Sequence, residues 1–236
     1  LLCSCSEENP RSRTSFNAGW KFLLADDAGA AMADFDDSGW RLLDLPHDWS
    51  IEGEFSATNP ATPGGGALPG GIGWYRKTFT VDPAEKDKLL YLEFDGVYRN
   101  SEVWINGHHL GKRPYGYSSF RYDLTPWLKQ GGEGNTVAVR VDNSLQPNSR
   151  WYSGSGIYRN VWLVATGKTA VDHWGTFITT PEVSADKALV QIEASIRNLT
   201  GAAEKVSLVS SVFDADNRKV ASVVTKNLQL TDTVTV

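Results

Sequence analysis

The side chains in this sequence that are suited to acid–base or nucleophilic chemistry are few, and most come in pairs. Glu93 and Asp95 lie two residues apart on an extended run, so both project from one face. Two carboxyls on one face are what glycoside hydrolysis requires, about 5 Å apart for retention or roughly 6.5–9.5 Å for inversion. The flanking residues supply no pocket to hold a sugar between them. His47 and Asp48 have the makings of a dyad, but no serine or cysteine nucleophile motif accompanies them. Flanked by Pro46 and Trp49, they read as a loop that closes one end of a β-sandwich. His108 and His109 are adjacent, and adjacent strand residues point to opposite faces. They read as turn and surface residues, not a chelating pair. Cys3 and Cys5 are too close for an ordinary disulfide and have no His pair at ligand spacing, so no metal site is expected. The glycine-rich run from Ser56 to Gly73 lacks a Lys-Ser/Thr ending and a following helix, which excludes a phosphate loop. No catalytic residue and no cofactor are expected in this chain.

Whatever the chain binds must be held by a β scaffold. The 236 residues are 41% hydrophobic, enough for one large β domain or two smaller ones. The net charge of −5 is interspersed, with no basic patch, which argues against nucleic acid. No apolar run approaches the roughly 20 residues of a membrane helix. All nine tryptophans lie at or before Trp174. They read first as core, since large aromatics dominate core energetics, and second as rings that stack on sugar faces.

The pattern divides the chain into a polar tail at 1–13, a sandwich at 14–168 and a second sandwich at 169–236. Ser15 to Phe22 alternates like a first strand, and Ala28 to Trp40 is a loop with one helical turn. Strands are expected at Gly73–Val81, Lys88–Phe94, Ser101–Ile105, Thr136–Asp142 and Asn160–Ala165. Many short strands with turn signals between them indicate a sandwich, and the Trp-rich composition fits a jelly roll. Asn106-Gly107 is the favoured two-residue hairpin turn, because both residues tolerate φ > 0. Near Gly167 the aromatics thin out. Ala188–Arg197 then alternates, with Val190, Ile192, Ala194 and Ile196 on one side. This reads as the start of an immunoglobulin-like sandwich, which takes roughly 100 residues. About 68 remain, so the second domain is expected to be incomplete.

Four segments, in order, carry a resemblance. They are L-P-H-D-W at Leu45–Trp49, G-I-G-W-Y-R-K-T-F at Gly71–Phe79, F-D-G-V…V-W-I-N-G-H-H-L-G at Phe94–Gly111, and W-Y-S-G-S-G-I-Y-R-N-V-W-L at Trp151–Leu163. Together they resemble the N-terminal sugar-binding jelly roll of family 2 glycoside hydrolases, the β-galactosidase and β-glucuronidase family. The closest flavour is bacterial, Bacteroides-type β-galactosidase. The resemblance implies an all-β front portion of a retaining enzyme whose two catalytic glutamates lie in a (β/α)8 barrel elsewhere in the polypeptide. It also implies a carbohydrate substrate and a homo-oligomer. It further implies that Asn148, Arg150 and Trp151 lie at the rim of the sugar pocket. Two departures stand against direct sugar contact. Some β-galactosidases have an acidic residue about where Asn148 lies, and the loop before the Gly71 strand offers only Leu68, Pro69 and Gly70. Packing of the strand pair is the other reading of Trp151, Tyr158 and Arg159. The opening LLCSCSEE resembles the end of a lipoprotein signal with Cys5 as the lipidated residue, which implies a lipid anchor at a Gram-negative outer membrane, in the periplasm or at the cell surface. The rival reading is a stand-alone surface carbohydrate-binding module or adhesin without catalysis.

Overall fold

The computed structural model describes residues 11–236, which form two compact units divided between Ala165 and Thr166. Cys3 and Cys5 lie outside the described residues, and the lipidation expected at Cys5 lies there with them.

The first unit contains β1 (Arg11–Ser15), β2 (Trp20–Leu23), β3 (Arg41–Leu43), β4 (Gly71–Phe79), β5 (Leu89–Phe94), β6 (Ser101–Ile105), β7 (His108–Arg113), β8 (Phe120–Asp123), β9 (Asn135–Asn143) and β10 (Val161–Thr166). They form a six-stranded sheet in the order β3-β2-β4-β9-β6-β7 and a four-stranded sheet in the order β1-β10-β5-β8. Alternation decides which side chains meet between them. Tyr75, Val103, Ile105, Val137, Val139 and Val141 come from the larger sheet, Leu92, Phe94, Phe120 and Val161 from the smaller, and all join one buried cluster. Asn106 and Gly107 turn β6 into β7 with φ of 50° and 83°, as the dipeptide predicts.

The larger sheet is covered on its other face as well. Trp74 and Trp104 stack there at 5.2 Å, and Ala30, Phe35 and Trp40 pack around them. Arg76 fastens that cover and is only 1% exposed. Its guanidinium donates to the carbonyls of Ala30 (2.5 Å), Met32 (2.8 Å), Ala33 (3.3 Å) and Phe35 (3.4 Å), and to Asp37 at 2.9 Å. A buried charge persists only when it is paired and hydrogen-bonded throughout.

The expected first strand is two strands. β1 starts at Arg11, inside the segment read as tail, and β2 starts after a turn at Gly19. β1 lacks apolar alternation because it is an edge strand held by charge. Arg13 reaches Glu93 at 2.8 Å and Asp95 at 3.4 Å, and its guanidinium lies 3.8 Å over the Trp162 ring.

The second unit contains β11 (Thr169–Val183), β12 (Ala188–Asn198), β13 (Glu204–Phe213), β14 (Lys219–Leu230) and β15 (Thr233–Thr235), in two sheets, β11-β12-β15 and β13-β14. Ala194, Ile196 and Leu230 are buried. Val190, Ile192, Leu208 and Val212 line an open cleft of 560 Å³ between the sheets. Asn198, the acceptor of an Asn-Leu-Thr sequon, is buried and donates to Ala202 O and Leu230 O.

Candidate functional site

Leu45–Trp49, the start of β4, the residues just after Phe94 and the Trp151–Ile157 run meet at one end of the first sandwich, whereas the Asn106-Gly107 turn lies at the other end, beside Asn135. β4 begins at Gly71 directly opposite Asn143, the last residue of β9. Around this edge lie the loops that follow β3, precede β4, follow β5 and follow β9. Backbone hydrogen bonds tie them together. His47 N donates to Ile157 O at 2.9 Å, Trp49 N to Ser155 O at 3.1 Å, and Tyr98 and Gly156 exchange bonds of 2.9 and 2.8 Å. Gly156 has φ of +126°, and a Cβ there would sit 2.4 Å from Tyr75 Oη and 2.7 Å from His47 O. Only glycine fits this crossing.

His47 and Asp48 hold the loops and are not a catalytic dyad. His47 Nε2 lies between a donor and an acceptor, 2.7 Å from Arg41 Nη2 and 3.2 Å from Glu52 Oε1. His47 Nδ1 shares a hydrogen bond of 2.7 Å with Tyr75 Oη. Burial lowers the His47 pKa below 6.5, outweighing the upward pull of the Glu52 carboxylate, so the ring is neutral near pH 7. Burial works to raise the Glu52 pKa, but bonds from Arg41 and His47 bring it below the ordinary value. Asp48 Oδ1 accepts the amides of Ser50 (3.0 Å) and Ser155 (2.8 Å), and its Oδ2 accepts the Tyr152 hydroxyl. Burial raises the Tyr152 pKa, and the bond to Asp48 raises it further.

The loop expected at a sugar rim is tied to this core through Asn143. Buried Asn143 donates from Nδ2 to Gly154 O (2.8 Å) and Ser155 Oγ (2.7 Å), and its Oδ1 accepts from Asn148 Nδ2 at 2.7 Å. Asn148 Oδ1 accepts Tyr98 Oη (3.2 Å) and Ser153 Oγ (3.1 Å). These bonds occupy both lone pairs of the Asn148 amide oxygen and one of its two N–H groups. Arg150 and Trp151 are exposed, Trp151 by 64%. Before β4, Leu68 is buried, Pro69 O accepts Ser50 Oγ, and Gly70 O accepts Trp49 Nε1. The backbone carbonyls of that loop therefore serve the fold.

The other paired residues do not join this site. Glu93 and Asp95 share the Arg13 guanidinium, and Asp95 also accepts Trp162 Nε1 at 2.9 Å. His108 stacks on Trp127 at 4.1 Å and His109 sits 5.0 Å from Trp104. The links of Tyr75 to His47 and of Tyr98 to Asn148 join residues 28 and 50 apart in sequence and carry no local signal. Only the clustering of Gly, Asn and Ser from Asn143 to Gly156 hints at a hydrogen-bonded loop.

The family model described as "Glycosyl hydrolases family 2, sugar binding domain" matches residues 14–167. The β-galactosidase BoGH2A of Bacteroides ovatus is 57% identical over 93% of this chain and 26% of its own length. A putative β-glucuronidase of Formosa agariphila is 49% identical over 84% of this chain and 19% of its own length. A crystal structure of a family 2 glycosyl hydrolase from Bacteroides cellulosilyticus superposes with a TM-score of 0.90 at 38% identity, covering 95% of this chain and 30% of that one. The chain thus spans about a quarter of the length of the curated relatives it matches. By its matched motifs, its fold and these relatives, the chain belongs to glycoside hydrolase family 2.

Proposed function

We propose that this chain is the non-catalytic N-terminal portion of a longer retaining β-glycosidase that removes terminal β-galactosyl residues from carbohydrate. The observation that carries this reading is the 57% identity to a β-galactosidase across 93% of the chain. The position of the motifs supports it, since Leu45–Trp49, the start of β4, the residues after Phe94 and Trp151–Ile157 share one loop-bearing end of the sandwich. On this reading the acid/base and nucleophilic glutamates belong to a (β/α)8 barrel that follows in the polypeptide. The first unit buttresses that barrel, and Asn148, Arg150 and Trp151 border its sugar pocket. The sharing of Glu93 and Asp95 by Arg13 supports a scaffold role, because both carboxylates are already committed. Burial of Trp20, Trp49 and Trp74 points the same way and away from a free-standing carbohydrate-binding module. We read the second unit as immunoglobulin-like, Cys5 as the site of a lipid anchor at the outer membrane, and the whole enzyme as a homo-oligomer.

The test is kinetic. In the longer polypeptide, Arg150→Ala or Trp151→Ala should raise KM for an aryl β-galactoside more than about 3-fold, with a smaller effect on kcat. An unchanged KM removes these residues from the rim.

A further inference from the structure

The loop between β7 and β8 carries an aromatic pair that neither the core nor the motif network requires. Tyr115 is 64% exposed and Tyr117 44%. Their ring centroids lie 5.6 Å apart in an edge-to-face arrangement, and Tyr117 lies 5.3 Å from Tyr98. The backbone beneath them is pinned. Gly116 is buried, and a Cβ there would fall 2.2 Å from Tyr98 Cδ2. On the other side Tyr158 Oη donates to Gly116 O at 2.9 Å, and Asn100 N donates to Pro114 O at 3.3 Å. Two largely exposed rings bury little apolar area and so give the fold little, yet their positions are fixed. The same Tyr98 hydroxyl that backs this loop donates to Asn148 Oδ1 at 3.2 Å. The tyrosine loop and the rim loop are therefore one connected structure.

We propose that Tyr115 and Tyr117 form a stacking platform for sugar units beyond the terminal one. The substrate class is then a β-linked oligosaccharide or polysaccharide chain, not a small galactoside. This rests on the glycosidase reading above. A tyrosine ring offers an apolar face to the C–H side of a pyranose and a hydroxyl to its polar edge. The flanking Arg113, Pro114 and Ser118 are exposed, and Arg113 and Ser118 set hydrogen-bonding groups beside the rings.

The experiment compares two substrates in the longer enzyme, β-1,4-galactotetraose and 4-nitrophenyl β-galactoside. With Tyr115→Ala and with Tyr115→Ala/Tyr117→Ala, kcat/KM for the tetraose should fall at least about 5-fold further than kcat/KM for the aryl galactoside, mainly through KM, as loss of a stacking contact implies. Tyr117→Phe, which keeps the ring, should restore most of the tetraose rate relative to Tyr117→Ala. Equal losses on both substrates overturn the platform and assign the loop to positioning Asn148. A lowered melting temperature or altered oligomeric state with no change in the substrate ratio also overturns it, in favour of a protein contact. If the wild-type enzyme hydrolyses neither substrate, the glycosidase reading fails first and the platform with it.

Discussion

Asn143 joins the sandwich core to the loop that bears Asn148, Arg150 and Trp151, the proposed rim residues, so removing its side chain tests that connection directly. Asn143→Ala deletes the bonds to Gly154 O, to Ser155 Oγ and from Asn148 Nδ2. Ser155 Oγ keeps its hydrogen bond with Ser50 Oγ, whereas the carbonyl of buried Gly154 loses the Asn143 donor. Two neutral hydrogen bonds contribute about 1 kcal/mol each, and an orphaned buried carbonyl costs about 1–3 kcal/mol. The expected loss is about 3–5 kcal/mol, a large share of the roughly 5–15 kcal/mol that stabilises a domain. At about 2–4 °C per kcal/mol for a chain of this size, Tm should drop by about 6–20 °C. Tryptophan fluorescence is the appropriate probe, because Trp20, Trp49 and Trp74 are all buried in the first unit. Asn143→Asp should be at least as damaging at pH 7, since it sets a carboxylate against the Gly154 carbonyl. Leu145→Ser, at a 72% exposed neighbour, should change Tm by less than about 2 °C. If Asn143→Ala also melts within 2 °C of wild type, the rim loop is not anchored as described.

Other perturbations test the remaining links. Arg76→Met should cost about 3–5 kcal/mol by urea denaturation, because it leaves Asp37 and the cover's carbonyls unpaired; a loss below about 1 kcal/mol would show that the cover is held by packing alone. Gly156→Ala should destabilise by about 2 kcal/mol or more through its positive φ and the contact with Tyr75 Oη, and a neutral substitution would contradict the crossing. His47 has a folded pKa below its ordinary 6.5, so the folded state binds its proton less well than the unfolded state. Its contribution is full above about pH 7 and is lost as pH falls through 6.5 toward the folded value. His47→Gln should remove that part of the slope, seen as a Tm difference between the two proteins that shrinks with acidification. A difference that stays constant from pH 7.5 to 5 would refute the neutral assignment.

Where pattern and packing coincide, the sequence is explicit. The alternation in Val137, Val139 and Val141 places those side chains on the inner face, and Asn106-Gly107 fixes the β6–β7 register. The polar run at Arg11–Ser15 hides a strand, because an edge strand held by Arg13 through Glu93 and Asp95 needs no apolar face. Arg76 is likewise silent, since nothing local distinguishes a clamped arginine from a surface one. At the site, the segments that meet are readable as motifs, but what Asn148 does is not. Its amide is spent on Asn143, Tyr98 and Ser153, three partners up to 50 residues distant. The Tyr115–Tyr117 pair reads as an aromatic loop, and only the structure shows it fastened to the rim.

The central claim is that this chain shapes a glycosidase without performing its chemistry. The most direct measurement is hydrolysis of an aryl β-galactoside by the 236-residue chain alone, beside the polypeptide that continues past Val236. The account predicts no turnover above buffer for the chain and retaining β-galactosidase activity for the longer protein. Turnover by the chain alone, lost when Glu93 or Asp95 is replaced by its amide, would contradict it.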